Sequence, residues 1–205
     1  MALIVIGGHS RNVGKTSVVA GLIAALCDYH WTALKITQYG HGVCSADGEP
    51  CHCATDDHTW SISEEKDRSG ESDTSRFLVA GATQAWWVRT QQGRLAEAVP
   101  TIRRKLAEAE NVILESNSIL KFLRPDLYLT VLDPATEDFK KSAQEFLDLA
   151  DAVVLHDSRE KSEKPLWDGV SLKPVAGRPV FYIRPPLYVT TEIVEFVRRK
   201  LVPGS

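Results

Sequence analysis

The chain has 205 residues, enough for a substantial hydrophobic core and for one domain, residues 1–205, carrying an elaborated insertion. A net charge of −3 gives no electrostatic basis for binding nucleic acid or an anionic membrane, and no apolar run reaches membrane-spanning length. Four cysteines, and an N-terminus that runs straight into a strand, are read as those of a cytoplasmic protein whose thiols are free or metal-bound.

The first informative stretch is Ala2 to Ser17, ALIVIGGHSRNVGKTS. Ala2 to Ile6 has the length and β-branched content of a buried strand. Gly7 and Gly8 break it, a small polar loop follows, and Gly14-Lys15-Thr16-Ser17 opens an apolar-periodic helix. A strand, a glycine loop and a helix N-terminus together cradle an anion, because unpaired backbone N–H groups and the helix dipole favour negative charge. In a phosphate-binding loop Lys15 reaches the β- and γ-phosphates, the Thr16 hydroxyl ligates Mg²⁺, and Gly8, Ser10, Asn12, Val13, Gly14 and Ser17 complete the cradle. Five residues separate Gly8 from Gly14, one more than the strict pattern allows. This longer loop resembles that of dethiobiotin synthetases and cobyrinic acid amide synthases.

Helical spacing continues from Lys15 to about Asp28, with Val18, Leu22, Ile23, Leu26 and Cys27 on one stripe, so Cys27 is expected in the core. Trp31 to Thr37 reads as the second strand. Gln38 to Ser72 lacks periodicity and is treated as a functional insertion. Helical spacing returns at Asp73 to Ala82, and Thr83 to Thr90 reads as a strand whose Trp86 and Trp87 fill the core. A helix over Leu95 to Ala109 and a strand over Asn111 to Ser116 follow. Then come a strand at Asp126 to Asp133, a helix at Glu137 to Leu149, strands at Asp151 to His156 and Arg178 to Arg184, and a helix at Thr191 to Leu201. Alternating strands and helices predict an α/β protein with a mostly parallel sheet covered on both faces, a three-layer α/β/α arrangement.

A nucleotide loop needs an acidic partner for Mg²⁺, and ligands of open α/β sheets gather at the C-terminal ends of the strands. Glu115 is the leading candidate, since Val112-Ile113-Leu114 precede it and Ser116-Asn117-Ser118 break polar directly after. Asp73, before its helix, and Asp133, before Pro134, are the others. His9 is expected to face solvent or ligand, and His30 and His156 to be structural.

Three further segments resemble the molybdopterin-guanine dinucleotide biosynthesis protein B family of P-loop NTPases: Lys35 in LKIT, Asp73 to Ala82 (DTSRFLVAGA), and Leu114-Glu115-Ser116. The resemblance covers about the first 120 residues and implies roles residue by residue. Lys15 and Thr16 would bind phosphate and Mg²⁺, Asp73 and Glu115 would bear on the metal or the attacking group, and Lys35 would lie beside the γ-phosphate or a second substrate. Ser116 stands where that family has glycine. No Asn-Lys-x-Asp guanine signature is present, and GTP and ATP both remain open.

The insertion carries a second signal. Cys44, Cys51 and Cys53 lie close to His41, His52 and His58. Three thiolates and an imidazole suit tetrahedral Zn²⁺ or an iron–sulfur cluster, with Cys44, Cys51, Cys53 and His58 as the first choice of ligands and His41 in reserve. The expectation is therefore a Mg²⁺-dependent P-loop NTPase, slow in turnover, acting with a small-molecule or cofactor substrate in molybdenum cofactor or related cofactor assembly. A partner protein of that pathway and a homodimer are further expectations. Two rivals stay open: an ATP-dependent synthetase or kinase like dethiobiotin synthetase, and a nucleotide-gated metal or iron–sulfur chaperone.

Overall fold

The computed structural model describes residues 1–39, 59–157, 167 and 169–201. In chain order the elements are β1 (Leu3–Gly8), α1 (Lys15–Ala25), β2 (Trp31–Tyr39), β3 (Trp60–Glu64), α2 (Asp73–Val79), β4 (Gln84–Gln91), α3 (Leu95–Ala107), β5 (Asn111–Glu115), β6 (Leu127–Leu132), α4 (Lys141–Glu145), β7 (Ala152–His156), β8 (Val180–Ile183) and α5 (Thr191–Leu201). The strands form one sheet in the order β3-β4-β2-β5-β1-β6-β7-β8. Neighbouring pairs are parallel except β3 with β4.

β1 sits at the centre because every one of its residues is buried, which a strand tolerates only when both faces are covered. Its side chains alternate between two cores. Ile4 and Ile6 pack with α1, Phe77 and Leu78 of α2, and Ile193 and Val197 of α5. Leu3 and Val5 pack on the other face with Leu95, Ile102 and Leu106 of α3 and with Phe146. Burying each such aliphatic side chain contributes about 1.5–3 kcal/mol, so β1 is clamped from both sides and the loop at its end is rigidly aimed. This three-layer α/β/α arrangement, with a glycine loop between the central parallel strand and the first helix, is the P-loop NTPase fold.

Four expectations about the fold need correction. β3 lies inside the stretch expected to be structureless; its pattern Trp60-Ser61-Ile62-Ser63 alternates with a period of two, and Trp60 and Ile62 pack against the α3 side. Cys27 is exposed. α1 ends at Ala25 and Leu26 leaves helical geometry at φ −125°, which swings Cys27 off the apolar stripe. The helix expected over Glu137 to Leu149 contracts to α4 and a 3₁₀ turn at Leu147–Leu149, because Asp138 to Lys140 are bound to the phosphate loop instead. Trp86 and Trp87 are half-buried on opposite faces: Lys105 lies over the Trp86 ring, and the Trp87 indole N–H donates to Thr37 at 2.8 Å. Among the described residues no helix is long and apolar enough to cross a membrane.

Candidate nucleotide-binding site

The loop after β1 is held in shape by groups from distant parts of the chain. Asn117 accepts from the Gly8 N–H at 2.9 Å and donates to the Gly8 carbonyl at 2.8 Å, so one side-chain amide satisfies both backbone groups. Gly7 makes room for it: a Cβ there would stand 2.1 Å from Asn117 Oδ1 and 2.6 Å from the Tyr128 hydroxyl. At the other end Gly14 adopts φ 87°, and a Cβ on it would meet the Tyr188 ring at 2.4 Å. Gly14 caps α1 without any side-chain hydrogen bond, leaving the first-turn N–H groups open toward the loop's concave side.

Lys15 emerges next to that helix end, and its ammonium donates to the Ser10 carbonyl. Burial above all pushes its pKa below that of an ordinary lysine; Glu115 and Asp73 oppose the shift, and Lys35 and Arg11 add to it. The Thr16 hydroxyl donates to Glu115 Oε2 at 2.8 Å. Register explains how Glu115 gets there. Ile6 of β1 and Lys35 of β2 are both level with Glu115 at the end of β5, between the two strands. Lys35 Nζ lies 3.4 Å from Glu115 Oε1 and also pairs with Asp73 Oδ2, at the first residue of α2. Lys15, Thr16, Lys35, Asp73 and Glu115 therefore line one cavity of about 670 Å³. Gly8, Ser10, Asn12, Gly14 and Ser17 line it too, whereas Val13 is buried beneath, its carbonyl facing His156 Nε2 at 3.0 Å.

The oxygen donors at its acidic side suit Mg²⁺, a hard cation that keeps several waters and binds through one or two protein groups plus phosphate. Among the described residues no three His, Cys, Asp or Glu gather into a metal site, so a Mg²⁺ at Thr16 and Glu115 would draw its remaining ligands from nucleotide and water. Cys44, Cys51, Cys53 and His58, like His41, lie outside the described residues.

His9 overturns its sequence reading. It is fully buried, with its ring against Phe139 and Trp167 at centroid distances of 5.1 and 4.9 Å. The Asp133 N–H donates to Nε2 at 3.0 Å, which requires the Nδ1–H tautomer; Nδ1 then donates to the Asp138 carbonyl at 2.8 Å. Burial lowers the His9 pKa and keeps the ring neutral. Asp133 itself closes a turn, accepting from Ala135 N–H at 3.0 Å, and so is not a cavity residue. His30 is on the surface, 3.0 Å from Glu110.

Asn117, Tyr188 and Lys140 are among the cavity residues that sequence reasoning missed, with Arg11, Arg76 and Gln92. Asn117 directly follows the polar break after Glu115, the one cue that pointed toward it. A second groove, of about 660 Å³, runs from Ser17 and Gly21 of α1 along the 186–191 segment, sharing Ser17, Arg76 and Tyr188 with the cavity. Arg76 donates to the Ser17 hydroxyl at 2.9 Å where the two join.

Neither a protein-family profile nor any curated protein matches the chain. Among solved structures, LpxK from Aquifex aeolicus in complex with ATP aligns at 19% identity and a TM-score of 0.48, over 89% of this chain and 53% of its own. HypB from Helicobacter pylori in complex with nickel aligns at 12% identity and a TM-score of 0.47, over 98% of this chain and 86% of its own. MobB from Bacillus subtilis aligns at 16% identity and a TM-score of 0.36, over 98% and 99%. This chain thus spans about half the length of the LpxK chain. At identities and scores this low, function is read from this chain's own residues.

Proposed function

We propose that this chain is a Mg²⁺-dependent P-loop nucleoside triphosphatase. The observation that carries the reading is the Thr16–Glu115 contact of 2.8 Å at the mouth of an uncapped helix N-terminus, with Lys15 and Lys35 on either side. The backbone N–H groups of the loop and Lys15 would bind the β- and γ-phosphates. Thr16 and Glu115 would hold Mg²⁺, which would supply charge neutralisation at the phosphates. Lys35, tethered to Asp73 and Glu115, would face the terminal phosphoryl group, and Asp73 would orient the attacking water or acceptor. The apolar groove beside Tyr188 would take the nucleoside end. Positioning and charge neutralisation supply the catalysis, since phosphoryl transfer demands little else of the protein.

A role in cofactor assembly, with molybdopterin-guanine dinucleotide first among the products, is supported by the sequence resemblance at Lys35, Asp73 to Ala82 and Glu115. A phosphoryl-transfer reading, like that of dethiobiotin synthetase, is favoured by the cavity's extent: beyond Lys35 it reaches Gln38 and Gln92, leaving space for an acceptor. Cys44, Cys51, Cys53 and His58 are proposed as a Zn²⁺ or iron–sulfur module, supported by their donor chemistry and proximity in sequence. The test is phosphate release from ATP and from GTP with and without Mg²⁺. Turnover of either nucleotide that requires Mg²⁺ supports the proposal; no binding and no turnover of both would overturn it.

A further inference from the structure

Building on the nucleotide reading, we propose that Lys140 is a direct phosphate-binding residue, a third lysine delivered to the cradle by the segment after β6. Three consecutive residues of that segment are fastened to the phosphate loop. Asp138 accepts from His9 Nδ1 through its carbonyl at 2.8 Å and from the Ser10 hydroxyl through Oδ2 at 2.6 Å. Phe139 packs its ring on His9. The Lys140 N–H donates to the His9 carbonyl at 2.8 Å. Lys140 is thus placed by its backbone, and it lines the cavity together with Lys15 and Arg11, whose charges act on its amine.

Charge decides what it does there. The lysine on the opposite wall, Lys35, is matched by two carboxylates, Asp73 and Glu115. Lys140 is half-buried and makes no direct ion pair among the described residues; the Asp138 carboxylate, which also accepts the Ser10 hydroxyl, acts on it from outside contact distance. Burial above all, reinforced by Lys15 and Arg11 and only partly opposed by the Asp138 carboxylate, lowers its amine pKa to about 8. The cavity is therefore polarised. Its Glu115 side has the carboxylates to take a divalent cation, and its Lys140 side, where Lys140, Lys15 and Arg11 outnumber the one carboxylate of Asp138, has the excess positive charge to take anionic oxygens. A metal-bound polyphosphate carries both kinds of charge, and Lys140 completes the anionic half of that match.

The experiment is equilibrium binding of Mg²⁺-ATP, Mg²⁺-GTP and Mg²⁺-pyrophosphate to wild type, Lys140→Met and Lys140→Arg, with ligand-free unfolding midpoints measured in parallel. Lys140→Met is expected to weaken triphosphate and pyrophosphate binding at least about tenfold, with an unchanged or raised ligand-free midpoint, and Lys140→Arg to restore most of the affinity. A merely structural lysine would instead lower the ligand-free midpoint. Wild-type affinity in Lys140→Met, for a protein that binds nucleotide, would overturn the Lys140 assignment alone. A wild type that binds no nucleotide or pyrophosphate would overturn the nucleotide reading along with it.

Discussion

Asn117 and Gly8, 109 residues apart in the chain, exchange two hydrogen bonds through a single side-chain amide. This contact ties the end of β1 to the polar turn after Glu115, so the loop that would hold phosphate is fastened directly to the end of the strand that would hold metal. Replacing Asn117 by Leu leaves the Gly8 N–H and C=O without these partners. The expected loss is about 1–3 kcal/mol of stability, with weaker triphosphate binding, measured by denaturant titration and calorimetry. Gly7→Ala should act through the same contact, because the new methyl displaces Asn117. Wild-type stability and affinity in both variants would dissociate the clamp from the site.

Glu115→Gln keeps shape and most hydrogen bonding while removing the charge opposite Lys35 and beside Thr16. Turnover should fall roughly a hundredfold or more, with the Mg²⁺ concentration for half-maximal activity moving upward. Thr16→Ala should shift the same Mg²⁺ dependence. A Glu115→Gln enzyme with an unaltered Mg²⁺ curve would remove Glu115 from the metal site.

The acid side of the stability profile should report on His9. Its ring is neutral in the native state, with a pKa lowered mainly by burial, whereas in the unfolded chain it takes up a proton near 6.5. The unfolded state therefore binds more protons as pH drops. The stability His9 contributes is present above 6.5 and declines as pH falls from there toward the lower native value. Denaturant midpoints across this range should fall more steeply for wild type than for His9→Gln; parallel slopes would contradict the buried neutral ring.

Metal content tests the cysteine-rich insertion independently of the nucleotide. Protein purified without oxygen or added metal should carry about one zinc, or an iron–sulfur cluster with visible absorption, lost in Cys51→Ser with Cys53→Ser. Metal-free wild type would make these cysteines bystanders.

The strand, loop and first helix were legible because they are local: an apolar run, two glycines, then Gly-Lys-Thr. Glu115 was legible as the polar end of a buried strand, and the parallel register put Lys35 level with it. Residues whose roles depend on distant partners were not. His9 looks like a loop residue until Asp133, 124 positions later, donates to its ring. Lys140 sat inside an expected helix that the loop contacts unwind. Cys27 continues the helical periodicity in sequence, but α1 ends two residues before it. β3 carries a period-two signal, Trp60 and Ile62 alternating with serines, but over only five residues and among glycines and cysteines that obscure it.

The central claim is that Lys15 and the open end of α1 bind a triphosphate. The direct measurement is binding of Mg²⁺-ATP and Mg²⁺-GTP to wild type and Lys15→Ala by calorimetry, alongside phosphate release. Saturable wild-type binding of at least one nucleotide, weakened at least about tenfold in Lys15→Ala with turnover abolished, is the predicted result. Equal affinity and turnover in the two proteins would contradict it.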